Sequence, residues 1–359
     1  MATEEEQRDA LVGRMLNALI GSLELFHVYL GERLGLYRML ANRGPLNAAE
    51  LATVAGISQR YAREWMEEQA VAGFLNVEGD SAEKRRYSLP AGHAEVLLDT
   101  DSLSYMSSVA RQLAGVASVL PRLVEAFKTG DAIPFEDYGP DIREGIADSN
   151  RVMFVNLLGS RWFPAIPDVD ARLRSLPPAR VADVGCGTGN SSIAIAKAYP
   201  LVRVEGIDLD VASIQAASAK ARDASVDDRV TFEVRDAADP ALAGSFDLVT
   251  AFEVIHDLSD PVGALRAMRR LCAQGGAVLV VDERVAEEFT APGDEIERIM
   301  YGFSALHCLA AAMGDPKSAM TGTVMRPSTL RHYAKEAGYA RVDILPIENE
   351  VWRFYRLYS

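Results

Sequence analysis

Short apolar runs alternate with amphipathic segments from Arg180 onwards, and this alternation constrains the fold more than any other feature of the sequence. The runs are "RVADV", "VRVEGI", "VTFEV", "FDLVTA" and "AVLVV", and stretches with the apolar spacing of helices lie between most of them. Such alternation indicates a mainly parallel β-sheet covered by helices on both faces. Two more strand-like runs, "RVDIL" and "VWRFYRL", follow the last helical stretch. We therefore expect an α/β fold in this half of the chain.

A different pattern precedes the sheet. The stretches "GPLNAAELATVAG" and "QRYAREWMEEQAVAG" have the spacing and end signals of two short helices, and "FLNV" and "YSLP" flank a polar turn as in a small hairpin. We therefore assign residues 1–100 to a mostly helical winged-helix domain. Residues 101–175 are expected to form a helical linker that contributes to a substrate pocket, and residues 176–359 the α/β domain.

The charge of the chain argues against a nucleic-acid partner. Its 359 residues include 37 Lys and Arg against 51 Asp and Glu, a formal net charge of −14, whereas affinity for nucleic acid comes largely from cations on phosphates. The second winged-helix segment also sets Arg60 and Arg63 against Glu64, Glu67 and Glu68. We expect this domain to serve dimerisation and substrate covering. A transcriptional regulator that senses a metabolite is the alternative from another functional class.

Composition also bears on the location of the protein. No uninterrupted apolar run approaches the roughly 18 residues of a membrane span. The three cysteines, Cys186, Cys272 and Cys308, show no pairing or CxxC pattern. We therefore expect no membrane partner and a reducing, cytoplasmic setting.

A glycine loop follows the first strand of the α/β region. In "VADVGCGTGNSS", Gly185, Gly187 and Gly189 allow a tight turn and a close approach of the backbone to a ligand. A dinucleotide-binding loop would read GxGxxG, but here Asn190 stands where that pattern needs its third glycine. The difference favours a cofactor without a pyrophosphate. Asp183, just before the loop, can hold the loop or an amino group of the ligand.

Carboxylates end the next two strands. Asp208 closes "GIDLD", where it can accept hydrogen bonds from both hydroxyls of a ribose, and Asp236 closes "VRDAAD", where it can accept from the exocyclic amine of an adenine beside Ala237. Open α/β sheets bind their ligands at the carboxyl ends of their strands. The glycine loop and these two carboxylates are therefore expected to meet at one edge of the sheet.

The segments "DVGCGTG", "GIDLD", "RDAAD", "FDLVTAFEVIHD" and "QGGAVLVVDE" have the order and spacing found in class I S-adenosylmethionine (SAM) methyltransferases, which residues 180–285 resemble. With its winged-helix start, the whole chain resembles small-molecule methyltransferases of the O-methyltransferase type. The resemblance implies a Rossmann-like sheet, parallel with an antiparallel last strand, and a homodimer whose amino-terminal domains lid the active site. It also implies a substrate-covering insertion at residues 286–325, with Leu209, Ala237 and Phe252 beside the bound SAM.

His256 is the candidate for the reacting site, because it follows the fourth strand in "FEVIHDLSD". In the O-methyltransferases that the chain resembles, a histidine here is the general base. An imidazole with a pKa of about 6.5 suits removal of a proton from a hydroxyl near neutral pH. Glu283, at the end of "VLVVDE", is the residue that we expect to orient it.

A second histidine suggests another chemistry. His307 lies on an apolar face of "DEIERIMYGFSALHCLAAAM", where a core histidine is the ordinary interpretation. Two imidazoles and the Asp257 carboxylate also have the composition of a facial metal triad. The segments "IHD" and "ALHCL" are similar to those of α-keto acid C-methyltransferases of the phenylpyruvate type. That resemblance implies a zinc or iron ion held by His256, Asp257 and His307.

Two catalytic hypotheses follow. The first is metal-assisted C-methylation of a 2-oxo acid, with the metal as Lewis acid and Arg143 holding the carboxylate of the substrate; a surface ion pair of Arg143 with Asp141 or Glu144 is the alternative for that residue. The second is metal-free O-methylation of an aromatic hydroxyl with His256 as base. In both, SAM is the methyl donor and the acceptor is a small molecule.

Overall fold

A computed structural model describes residues 2–82, 84–314 and 317–359. The chain forms two compact units, one of Met1–Ala117 with Glu144–Val152 and the other of Ser118–Arg143 with Met153–Ser359. Part of the predicted linker, residues 101–175, therefore belongs to each unit. The insertion predicted for residues 286–325 includes Asp315 and Pro316, which lie outside the described residues.

The first unit begins with helices and a two-stranded antiparallel hairpin. Its elements are α1 (Glu4–Arg33), α2 (Leu36–Arg43), α3 (Ala48–Ala55), α4 (Gln59–Val71), β1 (Asn76–Glu78), β2 (Arg86–Ser88) and α5 (Ala91–Leu98). Helix α3 starts at a reciprocal capping box of Asn47 and Glu50 and ends at Gly56 in the left-handed conformation. The winged-helix pattern of the sequence is present in this unit.

Helix α1 is largely exposed although many of its side chains are apolar. By length and composition alone it could cross a membrane, with 6% of its most apolar 18-residue window buried. This window includes two charged residues, Arg14 and Glu24, so it is not an uninterrupted apolar run. The expectation of no membrane partner stays a prediction.

Three further helices and a π-helical segment precede the large sheet. They are α6 (Ser108–Thr129), α7 (Gly139–Met153), the π-helical segment Phe154–Trp162 and α8 (Pro167–Leu173). The boundary between the two units falls within α6 and again within α7. Phe154, Leu158 and Trp162 of the π-helical segment are buried.

The second unit contains a seven-stranded sheet, in the part of the chain that the structure describes. Its strands are β3 (Arg180–Val184), β4 (Arg203–Asp208), β5 (Val230–Val234), β6 (Phe246–Phe252), β7 (Cys272–Glu283), β8 (Arg341–Ile344) and β9 (Trp352–Tyr358). Their order is β5-β4-β3-β6-β7-β9-β8. Strands β3 to β7 pair in parallel, and β9 runs antiparallel to β7 and β8. The expected Rossmann-like sheet with an antiparallel last strand is confirmed.

Helices connect and cover these strands. They are α9 (Asn190–Ala198), α10 (Val211–Asp223), α11 (Pro261–Leu271), α12 (Glu295–Phe303), α13 (Leu309–Ala312) and α14 (Pro327–Glu336). A π-helical turn, Ser304–Cys308, joins α12 to α13. Two apolar clusters cover the sheet. Val181, Leu279 and Val281 belong to one, and Val184, Val280 and Ile255 belong to the other, as the alternation of side chains along strands requires.

Gly159 offers a test of how tightly the first of these clusters is packed. A Cβ built at Gly159 lies against the methyl group of Ala198, whereas nothing lies within 4 Å of a Cβ built at Gly302, another helical glycine. We expect Gly159→Ala to lower the free energy of unfolding by about 1–3 kcal/mol through overpacking. Gly302→Ala, the matched control, should be neutral or stabilising by up to about 1 kcal/mol. Urea unfolding measures both, and equal effects would contradict the close packing.

Candidate active site

The glycine loop turns at the carboxyl end of β3. Gly185, Gly187 and Gly189 all have positive φ angles, 68°, 51° and 78°, which glycine adopts without a steric penalty. The N–H groups of Gly185 and Cys186 both donate to the carbonyl oxygen of Ile207 on β4, at 2.8 and 3.0 Å. In the part of the chain that the structure describes, nothing lies within 4 Å of a Cβ built at Gly187. The loop is thus anchored to β4 and leaves open space beside its central glycine, as a cradle for a ligand requires.

Asp183 fixes this loop from within the protein. Its carboxylate accepts hydrogen bonds from the hydroxyls of Ser191 and Ser192, each at 2.6 Å, and of Thr250 at 2.9 Å. The residue is 1% exposed. Of the two roles that the sequence left open for Asp183, the structure supports that of holding the loop.

The other predicted cofactor residues end neighbouring strands. Asp208 ends β4, where its carboxylate accepts from the N–H groups of Gly187, at 2.8 Å, and Asp210, at 2.9 Å. Asp236 follows β5 and accepts from the N–H of Ala238 at 2.8 Å. The other predicted residues at this edge are Leu209, which is exposed, and Ala237 and Phe252, which are buried. Asp208 therefore links the glycine loop directly to the next strand.

His256 lies in a short turn, Ile255–Asp257, that follows β6. Its ring is 3% exposed, and Nδ1 is 2.6 Å from Oδ1 of Asp282, which is 1% exposed. This contact corrects the expectation for Glu283. Successive side chains of β7 point to opposite faces, so Asp282, one residue earlier, is the carboxylate that orients the imidazole.

The second nitrogen of His256 faces another carboxylate. Nε2 is 3.2 Å from Oδ1 of Asp257, whose side chain is 38% exposed. Burial acts to lower the pKa of His256, but the negative charges of Asp257 and Asp282 outweigh it and hold that pKa well above its usual value. The more exposed carboxylate, Asp257, is the one that an incoming ligand can displace.

Glu283 instead pairs with a second buried glutamate. Burial raises the pKa of both Glu253 and Glu283, and their side chains are hydrogen-bonded to each other, which requires a shared proton. Glu253 also accepts from the indole N–H of Trp352, and it is held at a φ of 52°, an uncommon conformation for a residue other than glycine. Glu283 therefore lies beside Glu253, and Asp282 rather than Glu283 occupies Nδ1 of His256.

His307 lies on the π-helical turn and is 2% exposed. Its Nδ1 is 3.4 Å from Sγ of Cys308, and its Nε2 has no hydrogen-bond partner among the described residues. Burial lowers the pKa of His307 and outweighs the attraction of Asp257. Burial therefore favours the neutral form of this ring.

The donors that could hold a metal differ in one member from the predicted set. One atom each from His256, Asp257 and Cys308 lie within 4.8 Å of one another, whereas the sequence predicted His307 in place of Cys308. Burial raises the pKa of the Cys308 thiol to about 12. The adjacency of cysteine and histidine in "ALHCL" was the available signal for this residue.

Arg143 and Tyr138 already have partners within the protein. Nε of Arg143 lies 2.7 Å from the carboxylate of Asp210 at the start of α10. The sequence had suggested a substrate carboxylate, or alternatively Asp141 or Glu144, as the partner of Arg143. The partner in the structure is Asp210. The hydroxyl of Tyr138 donates to the carbonyl oxygen of Leu306 at 2.8 Å. Both residues position structural elements, and the expectation that Arg143 is free for a substrate carboxylate is not supported by these contacts.

Two protein-family models match the chain. A methyltransferase domain matches residues 177–337, and an Rv2258c-like winged HTH domain matches residues 22–99. The 27-O-demethylrifamycin SV methyltransferase of Amycolatopsis mediterranei (strain S699) is 38% identical over 104 residues. That match spans 29% of this chain and 38% of the length of the relative.

Solved structures share the fold of nearly the whole chain. The mitomycin 7-O-methyltransferase MmcR aligns with a TM-score of 0.71 and 19% identity, over 98% of this chain and 99% of that one. NcsB1, an O-methyltransferase from neocarzinostatin biosynthesis in complex with S-adenosyl-L-homocysteine (SAH) and 1,4-dihydroxy-2-naphthoic acid, aligns with a TM-score of 0.64 and 19% identity, over 96% and 98%. The chain therefore joins an Rv2258c-like winged HTH domain to a methyltransferase domain.

Proposed function

We propose that the protein transfers a methyl group from SAM to a hydroxyl oxygen of a small-molecule acceptor, with His256 as general base. The observation that carries this proposal is the buried contact between His256 Nδ1 and Asp282, which leaves Nε2 directed at a partly exposed carboxylate. An imidazole held by a carboxylate on one nitrogen is suited to accept a proton on the other. The fold shared with O-methyltransferases supports the choice of oxygen as the nucleophile.

The chemistry requires little covalent participation by the protein. SAM, when bound at the glycine loop, supplies a methyl group on a positively charged sulfur. The hydroxyl of the acceptor displaces Asp257 from Nε2 of His256 and gives its proton to that nitrogen as its oxygen bonds to the methyl carbon and the carbon–sulfur bond breaks. Asp282 stabilises the imidazolium that forms. The role of the protein is thus to orient the acceptor and to take one proton.

Methyl transfer from isotope-labelled SAM to a panel of aromatic hydroxyls and 2-oxo acids, with and without a strong chelator, tests the proposal. We expect an O-methylated product from an aromatic hydroxyl, formed at an unchanged rate after chelation. Mass spectrometry locates the label, and NMR distinguishes an O-methyl from a C-methyl group. A product methylated on carbon, or activity that chelation abolishes, would contradict metal-free O-methylation.

Metal-assisted C-methylation of a 2-oxo acid is the second candidate, and the cluster of His256, Asp257 and Cys308 favours it. The contact of His256 Nδ1 with Asp282 also resembles the carboxylate–histidine arrangement that orients metal ligands. These donors fit a zinc or iron ion, with His307 as a neighbouring nitrogen ligand. Such an ion would supply Lewis acidity toward the oxo acid. Metal analysis of protein purified without added metal separates this candidate from the first.

Asp208 provides a separate test of the SAM site. Its carboxylate joins β4 to the glycine loop and is proposed to accept from the ribose hydroxyls. Because hydrogen bonds to a charged group contribute about 1.5–3 kcal/mol, we expect Asp208→Ala to weaken SAH binding roughly 10- to 100-fold in calorimetry. Asp228→Ala, on an exposed carboxylate, is the control. Unchanged affinity in a folded Asp208→Ala protein would rule out this role.

We also propose that α1 packs against its counterpart in a homodimer. Six apolar side chains of α1, each at least 36% exposed, recur at alternating intervals of four and three residues. This is the spacing of a coiled-coil seam. They are Val12, Leu16, Leu19, Leu23, Phe26 and Leu30. Light scattering should show a dimer that Leu19→Glu converts to a monomer. Flotation with lipid vesicles tests the opposing possibility that this helix binds a membrane.

A further inference from the structure

The Nε2 atom of His307 has no role in the proposed transfer, yet it is held in a buried position. The ring is 2% exposed, and Nε2 has no hydrogen-bond partner among the residues that the structure describes. Buried polar atoms in folded proteins are nearly always hydrogen-bonded, so an unpaired one calls for an explanation, which a bound ligand can supply. If His307 served only to fill space in the core, an apolar side chain of similar shape could replace it without loss of stability.

Aromatic neighbours fix the orientation of this ring. Phe135 and Tyr138 contact it edge to face, with ring centroids 5.7 and 4.7 Å away. The hydroxyl of Tyr138 donates to the carbonyl oxygen of Leu306, the preceding residue. Nδ1 is 3.4 Å from Sγ of Cys308. The imidazole is therefore held on its other sides, while Nε2 has no partner among the described residues.

The backbone around His307 is unusual and is tied to the turn that carries His256. His307 belongs to a π-helical turn, a conformation that is frequent at functional sites. Gly322 packs directly against Ser304 of this turn, and the N–H of Ala319 donates to the carbonyl oxygen of Ser259 at 2.9 Å. These contacts hold the two histidine-bearing segments together.

Cys308 brings His307 close to the turn that carries His256. Sγ of Cys308, 3.4 Å from Nδ1 of His307, is within 4.8 Å of one nitrogen of His256 and one oxygen of Asp257. A ligand that reaches Nε2 of both histidines must present two polar atoms, and two oxygens on adjacent carbons, each able to make a hydrogen bond of roughly 2.7–3.2 Å, meet this requirement.

We propose that Nε2 of His307 hydrogen-bonds a second oxygen of the acceptor, next to the hydroxyl that is methylated. This inference rests on the proposed O-methylation and defines its substrate class: hydroxy compounds with a hydroxyl or carbonyl oxygen on the adjacent carbon. A neutral imidazole can donate or accept depending on its tautomer, so either oxygen is suitable. An acceptor with a lone hydroxyl leaves Nε2 unpaired, which lowers its affinity and its rate.

Catechol and phenol are the probes, because they differ by this one oxygen. We expect the wild-type protein to prefer catechol in kcat/KM by about 10-fold or more, beyond the factor of two for its two hydroxyls. In His307→Ala the ratio should fall to that statistical factor. In His307→Gln, whose amide both donates and accepts, part of the preference should return. His332→Ala, on an exposed histidine, is the matched control and should keep the full ratio.

Binding of the two probes to the SAH-loaded protein separates this inference from the proposed function. Tighter binding of catechol that depends on His307, without methyl transfer to either probe, would argue against O-methylation while still placing a second oxygen of a bound ligand at Nε2. An equal ratio in the wild-type and His307→Ala proteins, or no binding of catechol at millimolar concentration, would overturn the inference. So would stoichiometric metal in the wild-type protein that His307→Ala loses.

Discussion

His256→Ala should lower methyl transfer to an aromatic hydroxyl by a factor of about 10² to 10⁴, the usual contribution of a positioned general base. The imidazole is 3% exposed and is oriented by Asp282 through Nδ1, so water cannot take its place in the same geometry. The loss should appear in kcat, because the substituted group accepts its proton only during the reaction. Initial rates with labelled SAM measure it.

The dependence of the His256→Ala deficit on the acidity of the acceptor distinguishes a general base from a histidine with only a structural role. An acceptor whose hydroxyl has a pKa near that of tyrosine, about 10, needs the base, whereas a more acidic phenol is already ionised at neutral pH. The deficit of His256→Ala should therefore shrink as the acceptor becomes more acidic. Calorimetry should show SAH affinity like that of the wild-type protein. A deficit that is the same for all acceptors would argue against proton abstraction by His256.

The sheet and the glycine loop could be predicted because their signals are local. Gly185, Gly187 and Gly189 need positive φ angles in the structure, and the glycine pattern that reveals them lies within five residues. Asp208 follows the same rule, since strand-end carboxylates of a parallel sheet meet at one edge. Periodicity and loop chemistry thus sufficed to predict the sheet and the loop that is proposed to hold the methyl donor.

The contacts in the reacting site depend on strand pairing and helix geometry, which residue patterns alone do not reveal. Whether Asp282 or Glu283 faces His256 depends on the phase of β7, which its pairing with β6 and β9 sets. The π-helical turn at Ser304–Cys308 changes the helical phase, so a regular spacing could not place Cys308 near Asp257. The partner of Arg143 is Asp210, 67 residues away, a pairing that only the fold creates.

Asp282→Asn should lower kcat by roughly 10²-fold, at the lower end of the range for general base catalysis. The neutral amide no longer stabilises the imidazolium, and it can hold the ring in the wrong tautomer. Glu283→Gln, one residue along the same strand, is the matched control. Burial and the charge of Glu253 raise the pKa of Glu283 well above its usual value, so an amide at this position removes less negative charge than Asp282→Asn does, and it should change kcat by less than about 10-fold.

The dependence of the rate on pH separates the loss of the Asp282 charge from a mere loss of protein stability. In the wild-type protein, Asp257 and Asp282 raise the pKa of His256, and only the neutral imidazole can accept a proton. The rate should therefore rise with pH, with its acid limb above the usual pKa of about 6.5. Removing one anion lowers that pKa, so Asp282→Asn should shift the acid limb to lower pH even as kcat falls. If Glu283→Gln produced the larger loss and the larger shift, Glu283 rather than Asp282 would orient the base.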